Sequence, residues 1–432
     1  SGSTYWQFGN SNEEFNLLSD GSGDIKSTRI FRDPAAWYHF VISFDTEQDV
    51  PSNRIRVWVN GIPITDWSTL TAPTKDTDLS ITNTVAQVWG VYGTSTYPMD
   101  GYLSQVCMID GLALGPTSFG EFSNNVWRPI DITGLTFGTT GYLLDFADSS
   151  ALGNDVSGND NDFSTSGLDS GDQVTDTPTN NYPTINILMP GDPNHGYSNG
   201  NLEIIDTNTS TNDTSRVSTV AIPKGSDTWA VKMTCIAALA GHSIGVGDQN
   251  TETGDVQGFN QSGVHGVWYN QLGKIYINGS EDTSGKATLT SANDVIECHV
   301  DMSAGDVEFF VNNSSQGSYA LPSGYDDAGI DLFFHCDTGI GDNTLAFDFG
   351  QLGYNPATNL AGSKTLASTN LNEPTIKNSK KYFDTILYEG NGDAQKVGQF
   401  QPITETYTVG NSALFIKGDS TELLKTFGSA AS

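Results

Sequence analysis

Arg54-Ile55-Arg56-Val57-Trp58-Val59-Asn60-Gly61-Ile62-Pro63-Ile64 is the stretch that decides the fold. Side chains on a strand alternate between its two faces. Here Ile55, Val57 and Val59 share one face, and the arginines take the other. Asn60-Gly61 then supplies two residues that tolerate positive φ, and Ile62-Pro63-Ile64 returns. Alternation, Asn-Gly and alternation again predict an antiparallel hairpin. Just upstream, Trp37-Tyr38-His39-Phe40-Val41-Ile42-Ser43-Phe44-Asp45 reads as an apolar strand ending in a turn, led into by Thr28 to Asp33.

The same signals recur outward from this hairpin. Gly101 to Gly111 reads as a second hairpin-like run, Pro116 to Phe122 as a capped helical turn, and Gly141 to Phe146 as a strand. Strand patterns resume near Trp229 and continue through Gly241–Gly247, Val264–Tyr269, Lys274–Gly279, Asp294–Asp301, Val307–Asn313 and Leu345–Gln351. Residues 147 to 181 between these groups are almost all Asp, Asn, Ser, Gly and Thr. They cannot build a core and read as a linker or loop-rich bridge. From about Asn355 the pattern loosens, ending in the strand candidate Ala413-Leu414-Phe415-Ile416. No helix-length apolar period of 3.6 residues is evident.

Composition agrees with this pattern. The chain has 432 residues, which favours two or three domains, and 36% of them are hydrophobic and 10% aromatic, enough for real cores. Gly, Ser, Thr, Asn and Asp are abundant while Lys, Arg and Glu are sparse, which suits short strands and many turns. With 51 acids against 19 bases the net charge is −32. Such a surface repels phosphate backbones and anionic lipid, so nucleic acid and bare membrane are poor partners. No run of 18 apolar residues exists to span a bilayer. The sequence begins without Met and within what reads as a domain, so a processed product, a fragment or a repeat unit is expected. Cys107, Cys235, Cys298 and Cys336 lie in apolar stretches without metal-finger or CxxC spacing. They read as buried free thiols, with a Cys235 to Cys298 or Cys336 disulfide as the alternative.

Several segments carry family resemblances. WYHFVISFDT (37–46), NRIRVWVNG (53–61), MDGYLSQVCMIDG (99–111) and PTSFGEF (116–122) resemble the laminin-G-like, concanavalin A-type jelly roll. HSIGVGD (242–248), VWYNQLGKIYING (267–279), NDVIECHVDMSAGDVEFFVNN (293–313) and FDFGQLGY (347–354) resemble the SPRY domain. The connecting stretches at 141–146, 152–164, 176–186 and 371–392 look like those of bacteriophage structural proteins that combine the two, described as tail fibre or virion proteins. The resemblance implies an all-β chain of two antiparallel β-sandwich domains. Its divisions are a jelly roll over 1–146 that lacks its opening strand, an Asp/Asn/Gly-rich linker over 147–182 and a SPRY-like sandwich over 183–356. A connecting segment over 357–410 and a terminal strand segment over 411–432 follow. It also implies a non-enzymatic structural or assembly protein of a virion or extracellular surface. In such proteins a segment like Asn411 to Leu424 opens the jelly roll. Here Ala413, Leu414, Phe415, Ile416, Leu423 and Leu424 are expected to complete one, within the chain or in the next subunit as a donated strand. Donation would give a homo-oligomer or head-to-tail filament. The alternatives are a cellular filament subunit and a carbohydrate-binding adhesion module.

Candidate sites follow from residue type and spacing. A retaining glucanase needs two carboxylates about 5–5.5 Å apart, commonly from alternating acids on one strand. No ExDxE-like run occurs, and Glu203 and Asp206, the nearest pair, fall on opposite strand faces. HExxH, GxSxG and Walker-type loops are absent from the sequence. His39, His265, His299 and His335 fall in strand patterns and read as structural, so no catalytic residues are assigned. Asp155, Asn159, Asp160 and Asp162 crowd oxygen side chains around a glycine and are the candidate calcium ligands, though not in EF-hand spacing. An acidic turn bonding its own backbone is the competing reading. Trp67, Trp89, Tyr92 and Tyr97, in or near loops, are the candidate glycan contacts, with Trp268 and Tyr269 in the second region. Trp37 and Trp58 are expected in the core.

Overall fold

The computed structural model describes residues 5–8, 14–19, 23–79, 81, 86–92, 97–188, 195–206, 214–237, 241–248, 265–327, 329–338 and 343–372. Among them the regular elements are strands and short 3-10 turns, without an α-helix. The N-terminal strands are β1 (Tyr5–Phe8), β2 (Glu14–Ser19), β3 (Gly23–Ile30), β4 (Phe40–Phe44), β5 (Ile55–Val59), β6 (Ile62–Pro63), β7 (Trp67–Thr71), β8 (Val91–Tyr92), β9 (Tyr97–Pro98), β10 (Val106–Met108), β11 (Gly120–Ser123), β12 (Val126–Pro129) and β13 (Tyr142–Leu144). The later strands are β14 (His195–Ser198), β15 (Glu203–Asp206), β16 (Thr214–Val217), β17 (Thr228–Ala237), β18 (Ser243–Asp248), β19 (Gly266–Asn270), β20 (Ile275–Ile277), β21 (Ser280–Thr283), β22 (Val295–Asp301), β23 (Asp306–Val311), β24 (Ser314–Ala320), β25 (Leu332–Thr338), β26 (Asn343–Asp348) and β27 (Ser363–Lys364).

The hairpin read from Arg54 to Ile64 forms as expected. Val59 pairs with Ile62, and Asn60 and Gly61 both adopt positive φ, 51° and 75°. That is the geometry a two-residue turn needs to follow strand twist. Sheet β4-β5-β6 and sheet β1-β2-β3-β7 bury one core between them, built from Phe15, Leu17 and Ile25 on one side and Ile55, Val57 and Val59 on the other. Trp58 is not in that core. Alternation places it beside Arg56 on the outer face of β5, half-buried, with the guanidinium 5.4 Å from its ring centre. The 101–111 run is not a hairpin either: only β10 forms, and its partner is β13, with Val106 opposite Leu144.

The second part is a two-sheet antiparallel sandwich. One sheet runs β14-β15-β26-β17-β22-β23-β24, with β27 added in parallel to β17, and the other runs β16-β25-β18-β19-β20-β21. Inward positions alternate strictly. Trp229, Val231 and Met233 of β17, Ile296, Cys298 and Val300 of β22, and Leu345 and Phe347 of β26 pack against Ile244 and Val246 of β18, Val267 and Tyr269 of β19, and Phe334 and Cys336 of β25. The central strands are covered on their other faces too. All of β18 and β19 is buried, which is why these strands read as continuous runs rather than half-polar ones. β24, with the sequence SSQGSYA, is too polar to announce itself and is held at the edge by pairing with β23. The cysteines are free thiols, as in the first of the two readings.

Residues 147–182 form no extended strand, yet they are folded against their neighbours. Leu152 is buried, and Asp155 bridges to Leu144 of β13. Near its end the segment meets the N-terminal part: the Trp37 indole Nε1 donates to Asp176 Oδ1 at 2.8 Å, and Asn181 Nδ2 donates to the Ala35 carbonyl at 3.1 Å. Trp37, expected in the core, is half-buried at this joint instead. Burial pushes the Asp176 carboxyl up to about 6 against the indole hydrogen bond. Beyond residue 356, Ser363, Leu366 and Ala367 are buried on the second sandwich rather than trailing from it.

Two histidines sit inside this sandwich. Burial pushes both His242 and His335 down from 6.5 to about 4. Their neutral forms are favoured by folding, so the stability they allow is complete above pH 6.5 and is lost as pH falls toward 4. Each accounts for on the order of 3 kcal/mol across that window. Thermal melts should show the melting temperature dropping steeply between pH 6.5 and 4, and His242→Gln or His335→Gln should flatten part of that drop.

Candidate functional site

The first cluster is the acidic loop singled out in the sequence. The Asp155 carboxylate is buried and accepts hydrogen bonds from the Leu143 backbone N–H (2.8 Å), the Ser157 N–H and hydroxyl (both 2.9 Å) and the Asn161 N–H (2.9 Å). Burial works to raise its pKa, but these bonds together hold it below the ordinary carboxylate value. The Asn159 amide donates to the Gly138 and Gly141 carbonyls at 2.6 and 2.9 Å, and the Asn161 amide donates to Gly141. Asp162 Oδ1 accepts from Asp155 N–H at 2.9 Å, while Asp160 is exposed at φ 55°. Of the oxygens expected to converge on calcium, both of Asp155 and Oδ1 of Asp162 are taken by donors of the loop and its neighbours, and Asn159 turns its amide N–H groups to carbonyls. Among the described residues no group of three His, Cys, Asp or Glu side chains is placed to hold a metal ion.

Beside this loop, between 151–154 and 162–165, lies an open cleft of about 220 Å³. Gly153 forms its wall where Phe163 N–H donates to the Gly153 carbonyl, and a Cβ at Gly153 would sit 1.9 Å from the Phe163 carbonyl oxygen.

The second cluster was not legible in the sequence. Glu297 and His299 are two apart on β22, so both face away from the core, where the segment after β26 covers them. Ser363 Oγ lies 2.9 Å from His299 Nδ1, and His299 Nε2 lies 2.8 Å from Glu297 Oε2. Ser, His and Glu thus form a chain resembling a hydrolase triad. Its surroundings make it a clasp. Tyr354 OH donates to Glu297 Oε2 at 2.8 Å, Asn359 Nδ2 donates to Glu297 Oε1 at 2.7 Å, and Lys232 pairs with Asp348 at 3.1 Å below the Tyr354 ring. His299 is 1% exposed and Ser363 6%, so no substrate reaches the hydroxyl. Burial opposes ionisation of Glu297, but its bonds from His299, Tyr354 and Asn359 win and lower its pKa. A nucleophile search keyed to sequence motifs had no reason to join Ser363 to a histidine 64 positions away.

The remaining candidates take other places. Glu203 and Asp206 differ in burial as opposite faces require. Trp67 packs on the N-terminal core, and Trp89 donates to the Tyr142 hydroxyl at 2.8 Å. Tyr92 and Tyr97 are register partners on β8 and β9. Trp268 and Tyr269 are fully buried. His39 and His265 fall one residue before β4 and β19, and His299 and His335 lie within strands. His39 accepts the Trp127 indole N–H at Nδ1, 2.8 Å away, and that ring also covers Gly61. Ala413, Leu414, Phe415, Ile416, Leu423 and Leu424 lie outside the described residues.

No family model matches the sequence, and no curated protein matches it. Among solved structures, the chain is similar to the SPRY domain of human HERC1, with 16% identity, 37% of this chain and 94% of that one covered, and a TM-score of 0.30. A human SPRY domain is similar at 15% identity, 38% and 99% coverage and a TM-score of 0.31. The TRIM65 PSpry domain is similar at 10%, 39%, 89% and 0.30.

Two outcomes follow. Tyr354→Phe removes one bond to a buried carboxylate and should cost about 1–3 kcal/mol, whereas Glu297→Ala should cost more because His299 and Asn359 both lose their acceptor. Chemical denaturation of the variants measures both. Because Asp155 is already saturated by N–H and O–H donors, millimolar calcium should leave the melting temperature unchanged, as read by differential scanning fluorimetry with EDTA as the reference.

Proposed function

We propose that this chain is a non-enzymatic structural and assembly protein of an outer surface, specifically a phage fibre or other virion component. One observation carries the non-enzymatic part. The cluster with the chemistry of a catalyst, Ser363, His299 and Glu297, is sealed and spends its hydrogen bonds on fastening the segment after β26 to β22. What remains outward is a set of loops carried on rigid sandwiches, the arrangement through which such folds bind other proteins. A net charge of −32 disfavours nucleic acid and anionic membranes as partners, and no described helix is long and apolar enough to cross a membrane. The virion reading rests on the resemblance of 141–146, 152–164, 176–186 and 371–392 to phage structural proteins. In it, the segment from Asn411 to Leu424 is the assembly strand, closing a jelly roll in its own chain or in the next copy. A head-to-tail cellular filament would use the same device. A carbohydrate-binding adhesion module is the second reading, favoured by the open cleft beside the Asp155 loop.

Light scattering and electron microscopy of the full chain and of a form lacking 411–432 test this. Filaments or large assemblies that become monomers on deletion support strand donation. A monomeric full chain that merely unfolds on deletion would place the segment in its own jelly roll, overturn strand donation and move the binding-module reading ahead.

A further inference from the structure

We infer that Lys232 and Asp348 become joined by an amide bond between their side chains, formed within the folded sandwich with Glu297 as the proton acceptor. This goes beyond the assembly reading and does not rest on it.

Register places the three residues in one row. On β17, Lys232 is opposite Glu297 of β22 on one side and opposite Asp348 of β26 on the other. Directly opposed residues of antiparallel strands share a face, with Cβ atoms about 4.5–5.5 Å apart. One lysine therefore stands between two acids, on the face turned away from the core. Its Nζ lies 3.1 Å from Asp348 Oδ2, one bond away from the carbon that an amine attacks to form an amide.

Burial separates this pair from the other described lysine ion pairs. The Asp348 side chain is 3% exposed, whereas the carboxylates paired with Lys26, Lys75, Lys274 and Lys364 are 17% to 89% exposed. The second acid of the row is covered too, Glu297 being 7% exposed. The Tyr354 ring lies against Lys232, its centre 5.4 Å from Nζ. Bulk water favours the separate acid and amine, and here it is kept from the carboxyl group. A pair held in place in this way reacts as if at an effective concentration of about 10⁵–10⁸ M.

The hydrogen bonds on Asp348 fall where the reaction requires them. Oδ1 accepts from the Gly350 N–H at 2.8 Å and the Leu352 N–H at 3.1 Å, two backbone donors on the oxygen where charge develops during attack. Oδ2 accepts from the Tyr354 N–H at 3.1 Å and faces Lys232. Glu297 takes one proton from the Lys232 ammonium. The freed lone pair on Nζ attacks Asp348 Cγ and forms the C–N bond. The Cγ–Oδ2 bond then breaks, and Oδ2 leaves as water with that proton returned by Glu297 and a second one from Nζ. Oδ1 becomes the amide carbonyl and keeps both of its donors. An ammonium and a carboxylate are converted to an amide and one water, with no oxidant, reductant or further reactant. The product ties β17 covalently to β26, at the turn from which the covering segment starts.

Intact-mass spectrometry of the full chain tests this. The mass should fall below that of the sequence by one water, and a digest should contain one branched peptide joining the Lys232 and Asp348 segments. Lys232→Arg keeps the charge but cannot form the bond, so its mass should equal that of its sequence. Glu297→Gln keeps an oxygen for the Tyr354 hydroxyl and should cut the cross-linked fraction roughly tenfold or more in chain shown to be folded by circular dichroism. A wild-type mass equal to that of the sequence overturns the proposal and leaves an ion pair. A missing water that persists in Lys232→Arg overturns it as well, because the dehydration then lies elsewhere. An undiminished cross-link in Glu297→Gln overturns the part given to Glu297. The oligomeric state plays no part in these readings, so either proposal can fail without the other.

Discussion

A carboxylate or amide oxygen accepting backbone N–H groups is the interaction on which this architecture most depends. Short strands leave long connections, and every N–H in a covered connection needs an acceptor. Asp155 takes backbone donors from Leu143, Ser157 and Asn161. Asp348 takes Gly350, Leu352 and Tyr354, turning the chain after β26. Asp294 caps Thr290 and Ser291, Asp301 caps Ser303 and Ala304, and Asn270 caps Leu272 and Lys274. Five connections are thus held by one device, which Asp and Asn suit because their short side chains reach nearby backbone donors, most of them two to six residues away. Part of the acidic composition is structural in origin.

This use of acids separates the loops from the chemistry their residues could otherwise perform. At Asp155 the demand for acceptors divides the oxygens among N–H donors, so they do not converge. At Glu297 the same demand, now for an acceptor to His299, Tyr354 and Asn359, builds a triad-like chain with no opening to solvent. In both places, geometry that looks functional when reduced to residue types is spent on holding a segment down.

The two sandwiches are joined by the same economy of contacts. Trp37 and Asn181 reach across to Asp176 and Ala35, and Gly200 N–H donates to Asp100 Oδ1 at 2.8 Å with Tyr102 OH on the Asn199 carbonyl. Alongside these polar bonds the Trp37 and Tyr102 rings lie 6.4 Å apart, and Tyr102 packs against the core of the second sandwich. The Trp37 and Asn181 bonds give residues 147–182 fixed anchors at a stretch whose composition alone suggests a loose tether.

The sequence by itself determined the fold class, because period-two alternation and an Asn-Gly turn follow from backbone geometry and need no distant partner. Ile55, Val57 and Val59 face inward and Asn60-Gly61 turns for local reasons, and the outward placement of Trp58 beside Arg56 was written in the same alternation. Tertiary structure decided what alternation cannot express. β10 pairs with β13 across more than thirty residues, and polar β24 is a strand only because β23 offers it an edge. His299 meets Ser363 only because the chain after β26 folds back over β22. Whether Asp155 is a ligand or a cap depends on donors such as Leu143 N–H that lie outside its own turn. Pattern reveals which face a residue occupies, but a site needs atoms from separate segments within hydrogen-bond reach, and only the packed chain sets those distances.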